Sequence, residues 1–153
     1  NTAGISSLLH IIGGTAAFLL GSLFFGQYQQ QMLIIGLIFG FFLAGGHIMQ
    51  EIQDFEGDHA NHIKTTAYLL GKKVSLFIAI GFFVSAHFFF YYLIDINLHP
   101  NILWLNILTL LTVILFAFIT LRKGLNFKNV FHYRKQYRLV YIIYGFILFL
   151  EYL

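Results

Sequence analysis

Apolar stretches as long as a bilayer is thick alternate along this chain with shorter polar ones. Five can be marked, at residues 6–25, 32–49, 74–94, 102–121 and 137–153. Each is near the roughly 20 residues that a helix needs to cross the hydrocarbon core. In lipid a segment must satisfy its backbone hydrogen bonds internally, which selects the α-helix. The pattern predicts an all-α polytopic membrane helix bundle of about five transmembrane helices, folded as a single transmembrane domain over residues 1–153.

The polar connections are unequal. Residues 26–31 and 95–101 are short, and the second holds the only proline, Pro100. Residues 50–73 and 122–136 are long, and all nine Lys and Arg lie in or beside them. With five spans both long connections fall on one side. Basic residues that flank spans collect on the cytoplasmic side. These loops are therefore expected to be cytoplasmic, in an inner or cytoplasmic membrane, with Asp95 and Glu151 on the opposite side. Small residues recur at four-residue spacing, as Gly13-Ala17-Gly21 and Gly36-Gly40-Ala44, a pattern that lets two membrane helices approach closely.

Composition supports the membrane reading: 59% of residues are hydrophobic and 10% charged, against about 25% charged in soluble domains. There is no cysteine, so disulfides and thiolate metal sites are excluded. The basic balance is accounted for by orientation, which excludes nucleic acid as a partner. The chain opens on Asn1, and its first apolar run has neither a basic flank before it nor a cleavage site after it. It is not read as a signal peptide; the chain is expected to begin inside a longer protein or to be trimmed.

Against this background one polar stretch stands out. Residues 50–58 hold Glu51, Asp54, Glu56 and Asp58, four of the six acidic residues, directly after an apolar run. Acids at a membrane edge are costly, which makes a ligand site their default reading. On a helix at 100° per residue, His47, Glu51, Asp54 and Asp58 fall within about 60° of arc, and Glu56 points away. Such a stripe gains from a divalent cation. Its oxygen donors suit Mg²⁺, which binds one or two carboxylates together with substrate phosphates. Lys64, Lys72 and Lys73 follow, and metal plus lysines is what a diphosphate requires. The competing reading is a solvated acidic loop paired with those lysines.

Other metal sites are weaker. Glu56-Gly57-Asp58-His59 matches half of a di-iron motif, but the second copy is absent. His59 and His62 lack a third strong ligand. His10, His87, His99 and His132 are scattered and read as interfacial or packed.

At Glu51-Ile52-Gln53-Asp54-Phe55-Glu56-Gly57-Asp58, with His62-Ile63-Lys64-Thr65 and Leu70-Gly71-Lys72-Lys73 after it, the sequence resembles the UbiA-type intramembrane prenyltransferases. The stretch is similar to that family's second aspartate-rich motif, Asp-x-x-Asp-x-Glu-Gly-Asp followed by Gly-x-x-Thr and a Gly that opens the next span. Glu51 stands where many members have Asp, and His62 where many have Gly. Two spans precede the motif here and three follow, so the chain resembles spans five to nine of a nine-helix fold.

The resemblance implies Mg²⁺-dependent transfer of an isoprenyl group from a polyprenyl diphosphate to an aromatic or other lipophilic acceptor. Asp54 and Asp58 would be catalytic, Glu51, Asp54 and Asp58 metal ligands, and Lys64 and Lys72 diphosphate-binding. Phe41, Phe42, Phe82 and Phe83 are candidates to line the prenyl tail, with helix packing or lipid contact as the competing role. The family's first motif, Asn-x-x-x-Asp, is absent. The isolated chain is therefore expected to be inactive and to be completed by N-terminal helices or a partner subunit. The alternative is a non-catalytic membrane half-domain that binds a lipid diphosphate or a partner protein.

Overall fold

A computed structural model describes residues 4–26, 30–97 and 101–151. The architecture is all-helical: α1 (Ile5–Phe24), α2 (Gln30–Ala60), α3 (Thr66–Asn97), α4 (Asn101–Lys123) and α5 (Phe127–Glu151). Four of these, α1 to α4, are long and apolar enough to cross a membrane. The fifth expected span is α5, which falls short of that standard. Its first half carries Lys128, Arg134, Lys135 and Arg138, and only residues 139–150 run without a charge. Residues 152–153 of that expected span lie outside the described residues, as do His99 and Pro100.

The expected loop at residues 50–73 is mostly helix. The acidic stretch continues α2 to Ala60, and only residues 61–65 turn before α3 begins. At ~1.5 Å per residue, α2 is about 46 Å long, against a ~30 Å hydrocarbon core. Its last turns therefore carry the acids beyond the apolar part. In the same way residues 127–136, expected as loop, form the start of α5.

The centre of the bundle is α2, which packs against α1, α3 and α5, while α4 closes a ring by touching α3 and α5. The burial pattern of α1 is that of a helix with lipid as its solvent. Its buried residues are Ser7 and Thr15, whereas Leu9, Leu20 and Phe24 are exposed. Apolar side chains gain nothing by leaving lipid tails, so small and polar residues take the helix contact. The Thr15 hydroxyl lies 2.8 Å from the Ile11 carbonyl and 3.2 Å from that of Gly36. A Cβ on Gly40 would come within 2.6 Å of the Ile11 carbonyl oxygen.

The small-residue stripe of α2 is thus a packing face, but its counterpart on α1 is not the expected one. Gly14 meets Gly40, while Gly13 and Gly21 face open space. The contact face of α1 runs through Gly14 and Thr15, one position on from the Gly13-Ala17-Gly21 stripe.

Deeper in the bundle, His87 Nδ1 bonds Asn106 Oδ1 at 2.8 Å, and Thr109 Oγ1 meets the Tyr144 hydroxyl at 2.8 Å. The Tyr144 hydroxyl also bonds His87 and Asn106. This polar knot ties α3, α4 and α5 together, and it gives His87 the packed role expected of it.

Two contacts bring the chain's polar turns to one end. The Gly4 N–H donates to Thr66 Oγ1 at 3.4 Å, and Lys72 Nζ donates to the Leu125 carbonyl at 3.2 Å. The start of α1, the α2–α3 turn and the α4–α5 turn therefore share that end, and the nine Lys and Arg lie at or near it.

Candidate functional site at the acidic end of α2

Helix α2 runs unbroken through Gly57, so the acidic stripe forms, but its four acids have different fates. Glu51 is buried, with 5% of its surface exposed. One carboxylate oxygen sits 3.1 Å from His47 Nε2, and the other accepts the Ala67 backbone N–H at 3.1 Å. Thr65 takes a second free N–H of the same turn, that of Tyr68, at 3.1 Å. A carboxylate at a helix N-terminus satisfies an orphan donor and complements the helix dipole. Glu51 therefore clamps α3 to α2, with both of its oxygens engaged.

Glu56 is on the exposed face, as expected, and pairs with Lys72 Nζ at 2.7 Å. The same ammonium lies 4.8 Å over the Phe55 ring and bonds the Leu125 carbonyl. Lys72 is thus fixed at the junction of three elements. It lines a cleft of about 530 Å³ together with Gln53, Asp54, Glu56 and Asn126.

Asp54 opens onto this cleft. Asp58, one turn further along α2, is half-buried and takes a hydrogen bond from Thr65. Glu51 and Asp54 both repel its charge. Lys64 stands outside the cleft, in the exposed turn after α2. Among the described residues no group of three or more His, Asp or Glu converges where a metal ion could sit. The expected triad is accordingly not assembled: Glu51 faces inward to α3, and Asp54 and Asp58 remain as a pair.

The stretch after the acids contains two residues with positive φ. His62 adopts φ +54°, the left-handed conformation that favours glycine. Gly71 has φ +79° and ψ +158° and breaks α3 after its first turn. That region is essentially reserved for glycine. The break re-aims the chain immediately before Lys72.

Of the four candidate tail-lining aromatics, Phe42 and Phe83 are buried in the core. Phe41 is half-buried between Phe82 and Phe89. Packing accounts for the first two, and the latter pair stay near the surface.

Sequence reasoning missed Arg134. Its guanidinium donates to Gln53 Oε1 at 2.6 Å and to Gln50 Oε1 at 3.3 Å, so α5 is pinned to α2 just below Asp54. Also missed was the stacking of His10 on His47, with ring centroids 4.1 Å apart. The available signal was the run Tyr133, Tyr137, Tyr141, Tyr144, a helical stripe of polar aromatics that marks the inward face beside Arg134. Compared with known protein families, with curated proteins and with solved structures, the chain matches none.

Proposed function

We propose that this chain is the C-terminal part of a Mg²⁺-dependent intramembrane prenyltransferase of the UbiA type. It would transfer an isoprenyl group from a polyprenyl diphosphate to an aromatic or other lipophilic acceptor. The observation that carries this reading is the pair Asp54 and Asp58, one turn apart where a membrane-length helix leaves the apolar zone, with Lys72 on the wall of the Asp54 cleft.

The donor set fits the metal. Mg²⁺ takes one or two carboxylates and fills its remaining positions with water and substrate phosphate, so two aspartates without a third ligand are enough. Bound there, it would offset charge on a departing diphosphate. Asp54 and Asp58 would hold it. Lys72, fixed by Glu56 and the Leu125 carbonyl, presents a positive charge to diphosphate oxygens, and Lys64 in the adjoining turn adds another. The prenyl tail would run along the apolar helix faces below. The basic end of the bundle would face the cytoplasm.

That this chain carries no Asn-x-x-x-Asp motif favours one further reading, a non-catalytic half-domain that binds a lipid diphosphate. Titration of the purified chain in nanodiscs with farnesyl diphosphate, with and without Mg²⁺, tests what the two readings share. Mg²⁺-dependent binding that Asp54→Asn and Asp58→Asn abolish is expected. Binding indifferent to Mg²⁺ and to both substitutions rejects them together. Prenyl transfer on addition of the N-terminal spans characteristic of the family distinguishes the enzyme from the half-domain.

A further inference from the structure

Arg134 is 8% exposed, and its partners are neutral: the amides of Gln50 and Gln53 and the Tyr137 hydroxyl, which Arg138 also approaches. Neither the His47–Glu51 contact nor the Lys72–Glu56 pair includes it. Its Nε is buried without a hydrogen-bond partner. A buried guanidinium so placed is costly at a membrane edge, and its planar fork is matched to carboxylate and phosphate oxygens.

Beside Arg134 lies a second cleft, of about 260 Å³, walled by α1, α2 and α5. Its polar wall adds Arg138, one turn along α5, and the stacked rings of His10 and His47. The Tyr141 hydroxyl on this wall is also buried without a partner. Phe42 and Leu43 form the apolar side. No carboxylate lines this cleft among the described residues, and Glu51, the partner of His47, is turned to the Ala67 N–H. The cleft is therefore cationic, has unspent donors, and has an apolar wall.

From these features we infer that the cleft binds the anionic head, a phosphate or carboxylate, of a small amphiphile. Arg134 and Arg138 hold its oxygens, Tyr141 donates to it, and Phe42 and Leu43 cover its apolar part. At ~30 Å³ per water, the volume accommodates such a head with a few waters. This site needs no metal and stands independently of the Asp54–Asp58 reading. Gln53 lines the Asp54 cleft and accepts from Arg134, so the two clefts share a wall.

The purified chain is placed in phosphatidylcholine nanodiscs with EDTA, which silences any Mg²⁺-dependent site, and binding is followed by calorimetry. One arm titrates inorganic phosphate and benzoate; the other replaces part of the lipid with phosphatidic acid and follows its retention by native mass spectrometry. Binding of the soluble anions identifies a free ligand, and retention of phosphatidic acid alone identifies a lipid head group. Both outcomes support the site. Arg138→Gln is expected to weaken binding about tenfold or more, the loss of a charge-assisted hydrogen bond. Gly46→Leu, whose side chain would grow past the Tyr137 hydroxyl 3.5 Å from its Cβ position, should block entry without removing charge. Lys128→Gln, outside this cleft, should change nothing. Absence of binding in both arms, or binding that survives both Arg138→Gln and Gly46→Leu in variants of native helicity, overturns the inference.

Discussion

Glu51 reaches from α2 to the first turn of α3, where its carboxylate accepts the Ala67 N–H at 3.1 Å. A buried acid in a membrane-edge helix here acts as a cap for the next helix, and its other carboxylate oxygen lies 3.1 Å from His47 Nε2. Glu51→Ala removes the acceptor and strands both the N–H and the imidazole. A stability loss of about 2–3 kcal/mol is expected, typical of a hydrogen bond to a charged group left unmade. Thermal unfolding in detergent, with and without Mg²⁺, checks it. A loss that appears only when Mg²⁺ is present would instead make Glu51 a metal ligand.

The turn that follows makes an opposite pair of predictions. His62 holds a left-handed φ that costs a side-chain-bearing residue roughly 1–2 kcal/mol, so His62→Gly should stabilise the bundle by about 0.5–1 kcal/mol once glycine's greater chain entropy is deducted. Gly71→Ala should destabilise it by about 1–3 kcal/mol, although a Cβ there meets no atom within 4 Å. Equal and small effects at both positions would show that the turn relaxes freely.

Glycine packing gives a third prediction. A Cβ at Gly45 would lie 2.3 Å from the Phe83 ring, and Phe83 is fully buried, so it has no room to withdraw. Gly45→Ala should cost about 1–3 kcal/mol by overpacking, whereas Gly13→Ala, facing open space, should be neutral. Denaturant titration of the two variants side by side measures the contrast.

The apolar runs marked the helices because lipid leaves the backbone only one way to satisfy itself; α1 and α4 follow them closely, while α2 and α3 extend well past theirs. Charge was the misleading signal. Residues 50–73 and 122–136 read as connections because they are polar, yet helices occupy 50–60, 66–73 and 127–136, since a helix can continue into the head-group zone without an apolar face to announce it. The Asp54–Asp58 pairing was legible from helical spacing alone. The engagement of Glu51 was not, since its partner Ala67 is 16 residues away across a turn. Arg134 was invisible for the same reason: its acceptors lie more than 80 residues earlier, and a lone Arg beside Lys135 and Arg138 reads as an orientation signal.

Topology can be checked directly, because the chain has no cysteine. Lys64 and Gly26 are both exposed and lie at opposite ends of α2. Single cysteines at these positions should react with a membrane-impermeant maleimide from opposite faces, with position 64 reached from the cytoplasm. Labelling of both from one side would contradict a membrane-spanning α2, and labelling of 64 from outside would reverse the orientation.

The sharpest test of function compares three acids on the same helix end. Asp54 faces the cleft that Lys72 lines, Asp58 follows one turn on, and Glu56 lies between them on the exposed face, tied to Lys72. On the proposed function, in an assembly of this chain completed by the family's N-terminal spans, Asp54→Asn and Asp58→Asn should each reduce prenyl transfer by about a hundredfold or more, the loss of several kcal/mol of metal-assisted charge stabilisation. Glu56→Gln removes the same charge from the same helix end, so it controls for the overall field. Because Glu56 also steadies Lys72, a mild rise in KM for the diphosphate with kcat nearly unchanged is expected. Lys72→Gln should show a larger rise of the same kind while Mg²⁺ affinity holds. A uniform, mild response across Asp54, Glu56 and Asp58 would reduce the stretch to a solvated acidic helix end and remove the main support for prenyl transfer.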